Sequence, residues 1–322
     1  MTSAFEFASA ERDKEINVIN EKSPFFMSLK LCESKYTNES SIIRFVAIKW
    51  NAYFCRYLAQ NRTNPLINYM NYHLNQIPDR TTKPRQKGLT MVMDKGLSLR
   101  QVEDFLETGA AYTDIVKLGW ATSFVTPNLK EKLALYKSAG IPVYFGGTLF
   151  EAFYIRGQFD DYRRVLDEYG MEYAEVSDGS IEMESDIKCE LIRTLASQVT
   201  VLSEVGSKDE AKIIPPYKWI KLMRMELEAG AWKVIGEARE GGNVGLFRSS
   251  GEVRQGLVEE ILTEIPEERI IWEAPQKSQQ VWFVKLVGAN VNVGNIAPQE
   301  VISLETIRLG LRGDTFDHFL TK

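Results

Sequence analysis

Histidine and cysteine are almost missing from this chain. Only His73 and His318 occur in 322 residues, so no Ser-His-Asp or Cys-His constellation can be assembled, and no imidazole pair stands at a metal-ligand spacing. Acid and base work must then fall to Lys and Glu. The three cysteines, Cys32, Cys55 and Cys189, make neither a CxxC pair nor an even framework, which excludes a disulfide scaffold and points to a reduced, cytoplasmic compartment. Cys189, within IKCELI, reads as a buried helix residue. No apolar run of about 18 residues is present to span a bilayer. The leading MTSAFEFASAERDKE lacks the cationic start and apolar core of a secretory signal. With a net charge of -5 and no Lys/Arg block interleaved with aromatics, neither nucleic acid nor membrane is an expected partner. Small molecules and copies of the chain itself remain.

Glycine is absent from the first 87 residues, and all 22 lie at or after Gly88. A typical share of about 7% would have placed several there. This break divides the chain into an N-terminal extension, residues 1–85, and a folded part, residues 86–322. The extension is rich in asparagine (Asn17, Asn20, Asn38, Asn51, Asn61, Asn64, Asn68, Asn71 and Asn75), and SIIRFVAIKWNAYFCRYLAQN could form one amphipathic helix. Two readings stay open: an upstream translation with the true start at Met70, or a tail that packs on the folded part or on a second subunit.

From Leu89 onward short apolar runs alternate with amphipathic stretches. The runs are LTMVMD, TDIVKLG, IPVYFGG, EYAEVS, TVLSEVG, WKVIGEA, RIIWEA and VNVGNI. Eight strand and helix pairs in about 235 residues have the size and period of an α/β chain folded as a single (β/α)₈ TIM barrel. An open doubly wound sheet is the alternative, disfavoured because no GxGxxG or GxxxxGK[ST] follows the first strand. Helical stretches end at Gly109, Gly140, Gly170 and Gly230, each an expected left-handed cap. One stretch, EAFYIRGQFDDYRRVLDEYG, reads as a single long helix.

Five strands end on an acid: Asp94, Glu175 with Asp178 just beyond, Glu204, Glu237 and Glu273. A carboxylate at the end of an apolar strand is costly unless satisfied, and in a barrel all strand C-termini open on one face. The expectation is one shared oxygen-rich site. Magnesium is the first candidate for a hard cation there, with Glu175, Glu204 and Glu237 as ligands and Asp94 and Glu273 orienting lysines. Cations and donors accompany the acids. Two catalytic candidates are Lys95, which follows Asp94 in a glycine turn, and Lys117, which interrupts the apolar run IVKLGW, where its ammonium needs a partner. Thr148 follows the paired glycines Gly146 and Gly147 at a helix start suited to an anion, and Ser180 closes the turn after Glu175. Lys208 lies four residues past Glu204 across a glycine and is the candidate for proton transfer. Arg239 can grip a phosphate, carboxylate or sulfonate. Lys277, Ser278, Gln279 and Asn295 fall in the loops after strands 7 and 8, where this fold often binds phosphate. Arg308 and Arg312 read as closing the barrel or fixing a subunit contact.

The segments MDKGLS, VKLGWATS, GGTLFE, EVSDGS, SEVGSKD, GEAREGG, WEAPQKSQQVWF and EVISLETIRLGLRGDTF together resemble the phosphosulfolactate synthase family over roughly residues 86–319. The resemblance implies a magnesium-dependent, cytosolic, oligomeric barrel enzyme that adds sulfite to phosphoenolpyruvate to give (2R)-O-phospho-3-sulfolactate, a carbon-sulfur lyase. Its product would feed coenzyme M, sulfolactate or another sulfonate. The family's proposed acid, a lysine after strand 5, falls on Lys208, which would protonate carbon 2 as sulfite attacks carbon 3. The first 85 residues have no counterpart, and Phe145 stands where some relatives carry proline. The alternatives are a related enolpyruvate enzyme using another nucleophile, or a non-catalytic barrel like the family's plant heat-stress members.

Overall fold

Each of the eight apolar runs becomes a strand. The computed structural model describes residues 71–207, 214–239 and 241–321, so the readings made on the chain before Asn71, and on Lys208, lie outside the described residues. The strands are β1 (Thr90–Asp94), β2 (Ile115–Leu118), β3 (Val143–Phe145), β4 (Tyr173–Val176), β5 (Thr200–Val205), β6 (Lys233–Gly236), β7 (Ile270–Glu273) and β8 (Val293–Ile296). All ladders are parallel, in the order β3-β2-β1-β8-β7-β6-β5-β4. The terminal strands β3 and β4 lie in contact, which makes a nearly closed barrel, although no ladder joins them among the described residues.

The two-residue strand period sorts side chains between two cores. Met91, Ile115, Tyr144, Leu202, Ile235 and Ile271 fill the barrel interior. Their neighbours in sequence, such as Val92, Val116, Val143, Val201, Val234 and Ile270, pack outward against the helices. One step further along the inward rows stand Lys117, Glu204, Glu237 and Glu273, two residues beyond Ile115, Leu202, Ile235 and Ile271. The pattern that fills the barrel with aliphatic side chains therefore delivers charged ones to its C-terminal mouth.

The helices are α1 (Leu99–Gly109), α2 (Leu129–Ser138), α3 (Gly147–Tyr154), α4 (Phe159–Glu168), α5 (Ser185–Ala196), α6 (Pro216–Glu228), α7 (Gln255–Glu264), α8 (Lys277–Val287) and α9 (Val301–Arg308). Ser98 and Gln101 form a reciprocal capping box that starts α1. The single long helix expected after β3 is two, α3 and α4. Gly157 between them adopts φ +67°, a left-handed turn that ends one helix and redirects the chain. Gly140, Gly170 and Gly230 have the positive φ of left-handed caps. Gly109 does not: its φ is -104°, because α1 tightens into a 3-10 turn, Ala110–Tyr112, instead of stopping.

The opposite end of the barrel is sealed by arginines. Buried Arg308 donates to the carbonyls of Ala289, Val291 and Leu89 at 2.8, 2.7 and 3.1 Å. The stretch ahead of β1 is tied down by Arg80 on Glu305 at 2.8 Å and Arg85 on Asp114 at 2.9 Å. No helix among the described residues is long and apolar enough to cross a membrane.

Candidate active site

Lys117 occupies the centre of the mouth. Its Nζ lies 3.0 Å from Glu175 Oε1, 3.3 Å from Glu204 Oε2 and 3.3 Å from Glu273 Oε1, and its side chain is 6% exposed. Burial alone would push the ammonium down; Glu175, Glu273 and Glu204 overcome it and hold the group well above its usual value, so it stays charged. Burial drives the carboxyls the other way. It raises Glu175, against the pull of Lys117, and takes Glu273 up to about 7, again opposed by Lys117 and reinforced by Glu204 and Glu175. One ammonium does not neutralise this many acids.

Glu204, Glu237 and Glu273 each offer a carboxylate oxygen, and these oxygens all lie within 4.8 Å of one another. The donor set is anionic, buried and wholly oxygen, which suits a hard divalent cation. Glu175, which the sequence suggested as a ligand beside Glu204 and Glu237, falls outside this compact set: its Oε1 accepts from the Gly147 amide at 2.6 Å and from Lys117, and its Oε2 is buried with no hydrogen-bond partner among the described residues. Glu273 takes its place in the compact triad, and its second oxygen accepts from the Ala238 amide at 3.0 Å. The Arg239 amide holds Glu237 Oε1 at 2.5 Å, made possible by a left-handed φ of +53° at Arg239.

Two of the acidic strand ends do not join the site. Asp94 is two residues past outward-facing Val92, so the same period turns it to the helix layer. There it meets Lys132 at 3.1 Å and Tyr136 at 3.0 Å, and caps the amides of Gly96 and Leu97. Asp178 likewise pairs with Lys188 at 2.8 Å. Convergence of every acidic end was the expectation; strand parity excludes Asp94, and the turn beyond β4 excludes Asp178.

The other sequence candidates are spread around the rim. Lys95 is exposed and sits 4.8 Å from the Trp120 ring centroid. Thr148 is half-buried in the first turn of α3, Arg239 and Ser180 are exposed, and the Ser180 amide donates to Glu151. Lys277 pairs with Asp314 at 3.0 Å, and Ser278 beside it is exposed. Gln279 is not free for a ligand, since its buried amide donates to the carbonyls of Gly242 and Gly251 and so pins the loop after β6. Asn295 is 5% exposed, adopts φ +56°, and its Oδ1 has no hydrogen-bond partner among the described residues.

The two-residue strand period puts Ser177 on the Glu175 face of the mouth, but sequence reasoning gave it no role and passed over Glu151, Lys188, Glu226 and Lys132 as site residues. Ser177 Oγ lies 2.8 Å from both Glu151 Oε1 and Glu204 Oε1. A signal existed for Lys188: it precedes Ile192 by four residues and Leu195 by seven, on the apolar face of its own helix.

With this geometry stand the likenesses to known proteins. The family model described as (2R)-phospho-3-sulfolactate synthase (ComA) matches residues 78–314. The chain belongs to this family. A phosphosulfolactate synthase of Methanocaldococcus jannaschii is 46% identical over 237 residues, 72% of this chain and 94% of that protein. One from Methanothermobacter thermautotrophicus is 42% identical over 244 residues, covering 74% and 95%, and one from Bacillus subtilis is 41% identical over 250 residues, covering 77% and 99%. Among solved structures, 3-hexulose-6-phosphate synthase from Salmonella typhimurium aligns with a TM-score of 0.48 at 15% identity, over 70% of this chain and 100% of that one.

Proposed function

We propose that this chain is a phosphosulfolactate synthase in activity as well as in family, a carbon-sulfur lyase that joins sulfite to phosphoenolpyruvate with the help of magnesium. The observation that carries the proposal is the buried Lys117 ringed by Glu175, Glu204 and Glu273 at the C-terminal mouth of the barrel. Buried ion pairs also anchor strands elsewhere in this barrel, but here one ammonium faces three carboxyls, an excess of buried negative charge that costs several kcal/mol per ion before pairing and that a bound cation would offset.

Sulfur bonds to carbon 3, the electron pair of the C2=C3 bond moves toward the carboxylate, and carbon 2 takes a proton. Magnesium held by Glu204, Glu237 and Glu273 would supply positive charge opposite the charge that develops on the substrate. Lys117 serves as a fixed cation rather than an acid, because its surroundings keep the proton on it. It neutralises part of the carboxylate ring and holds Glu175, Glu204 and Glu273 in place. Proton delivery falls to Lys208, three residues past the end of β5 in the sequence. Lys95 and Arg239 on the rim provide the anion-attracting charge that two anionic substrates need. The site takes small molecules, and the active form is a cytoplasmic homo-oligomer by likeness to the family.

A coupled assay with phosphoenolpyruvate, sulfite and magnesium tests the proposal. Sulfite-dependent consumption of phosphoenolpyruvate, abolished by chelator, is expected. Its absence at micromolar enzyme would overturn the reading.

A further inference from the structure

We infer that Glu151 and Ser177 are positioning residues of the carboxylate triad, setting its affinity for a divalent cation by fixing the side chain of Glu204. This rests on the metal-site reading proposed above and goes beyond it to two residues outside the triad.

Ser177 Oγ stands between two carboxylates, 2.8 Å from Glu204 Oε1 on one side and 2.8 Å from Glu151 Oε1 on the other. The three side chains are 0%, 3% and 3% exposed for Ser177, Glu204 and Glu151. Glu151 Oε1 also accepts from the Ser180 amide at 3.0 Å, while the Gly179 amide reaches Ser177 Oγ at 3.3 Å. With Oε1 of Glu204 held in this way, its Oε2 lies 3.3 Å from Lys117 Nζ. A glutamate anchored at one oxygen cannot rotate its terminal torsion, which is otherwise broad.

Glu151 gives the clearest indication. Its Oε2 is buried with no hydrogen-bond partner among the described residues, and the single Ser177 proton serves Glu151 or Glu204 but not both at once, so Glu151 is retained at a desolvation cost that the Ser180 amide offsets only in part. It belongs to α3 and does not reach the triad. What it does is order Ser177, and through Ser177 the ligand Glu204. Outer partners of metal ligands typically change affinity by about 10–100-fold when removed.

The test uses the full chain and Mn²⁺ as the probe, titrated calorimetrically into wild type, Glu151→Gln, Ser177→Ala and Glu237→Gln, with metal-free melting followed in parallel. Weakening of Mn²⁺ binding by about 10–100-fold in Glu151→Gln and in Ser177→Ala is expected, whatever happens to the melting temperature. If Glu237→Gln loses affinity while both positioning variants that remain folded bind like wild type, the positioning role is overturned and the triad stands. If wild type binds no Mn²⁺, or binds it no better than Glu237→Gln, the triad reading itself fails and the inference falls with it.

Discussion

Lys188 Nζ lies 2.6 Å from the main-chain carbonyl of Glu204. The lysine comes from α5 on the outside of the barrel, whereas the Glu204 side chain points into the mouth, so one residue of β5 is gripped from both sides. Lys188 is also 2.8 Å from Asp178 and 3.0 Å from Glu226, and Ser203 Oγ donates to Glu226 at 2.6 Å. Burial raises Glu226 above the ordinary carboxylate range, opposed by Lys188. This ion-pair network anchors the strand that carries a candidate ligand.

Removal of the lysine should therefore be expensive. Lys188→Met strands Glu226 and is expected to destabilise the protein by about 3–5 kcal/mol, the usual cost of breaking a buried pair from one side. Lys188→Met combined with Glu226→Leu should recover much of that loss. Urea unfolding of the single and double variants checks both statements, and equal destabilisation in the two would contradict the account.

Gly147 and Gly256 offer a contrast. A Cβ at Gly147 would meet the Ser177 side chain and come 2.7 Å from Glu175 Oε1, so Gly147→Ala should displace both and lower turnover by about 10²-fold, as small misplacements in active sites do. A Cβ at Gly256 would meet nothing within 4 Å and lies within α7. Gly256→Ala should leave turnover intact and stabilise by about 0.4–1 kcal/mol through reduced freedom of the unfolded chain. Steady-state assays and thermal melts of the pair read both effects.

Lys117 and Lys208 should fail differently. Lys117→Met leaves Glu175, Glu204 and Glu273 crowded without their shared cation and is expected to lower both melting temperature and turnover. Lys208→Ala, by loss of a general acid, should lower turnover by about 10²-fold or more with little change in melting. A Lys208→Ala enzyme with near-normal activity would remove that assignment.

Stability at alkaline pH should carry the mark of Lys233. Burial, and then the neighbouring Arg269, pull this lysine down to about 8, where it donates to the Gln86 carbonyl at 2.9 Å. Between pH 8 and the ordinary lysine range the unfolded chain holds a proton that the folded chain has released. Stability from this group therefore rises with pH across that window. Lys83, also drawn down to about 8 by burial, adds to the rise, so Lys233→Met should lessen the rise in melting temperature between pH 8 and 10 without abolishing it; an unchanged slope would show that Lys233 contributes nothing to it.

Much of this was legible in the chain. Strands such as TVLSEV and IIWE announce themselves because a barrel strand is apolar on both faces, and in five of the eight runs an acid at or near the end breaks the pattern where the fold opens. The cationic outlier in IVKLGW marked Lys117 for the same reason. The break within the long helical stretch after β3 was harder to see, since its hydrophobic pattern continues through Gly157 and only the left-handed turn there ends the helix.

Local patterning by itself determined the eight strands, their alternation with helices and the set of acids and lysines at the strand ends, because hydrophobic period and glycine placement act over a few residues. Only the tertiary structure decided which of those acids meet. Asp94 and Glu204 look alike in sequence, yet strand parity sends one to a helix lysine and the other into the barrel. Ser177 and Glu151, separated by 26 residues, become neighbours through the packing of α3 against the turn after β4, a relation that no spacing along the chain encodes.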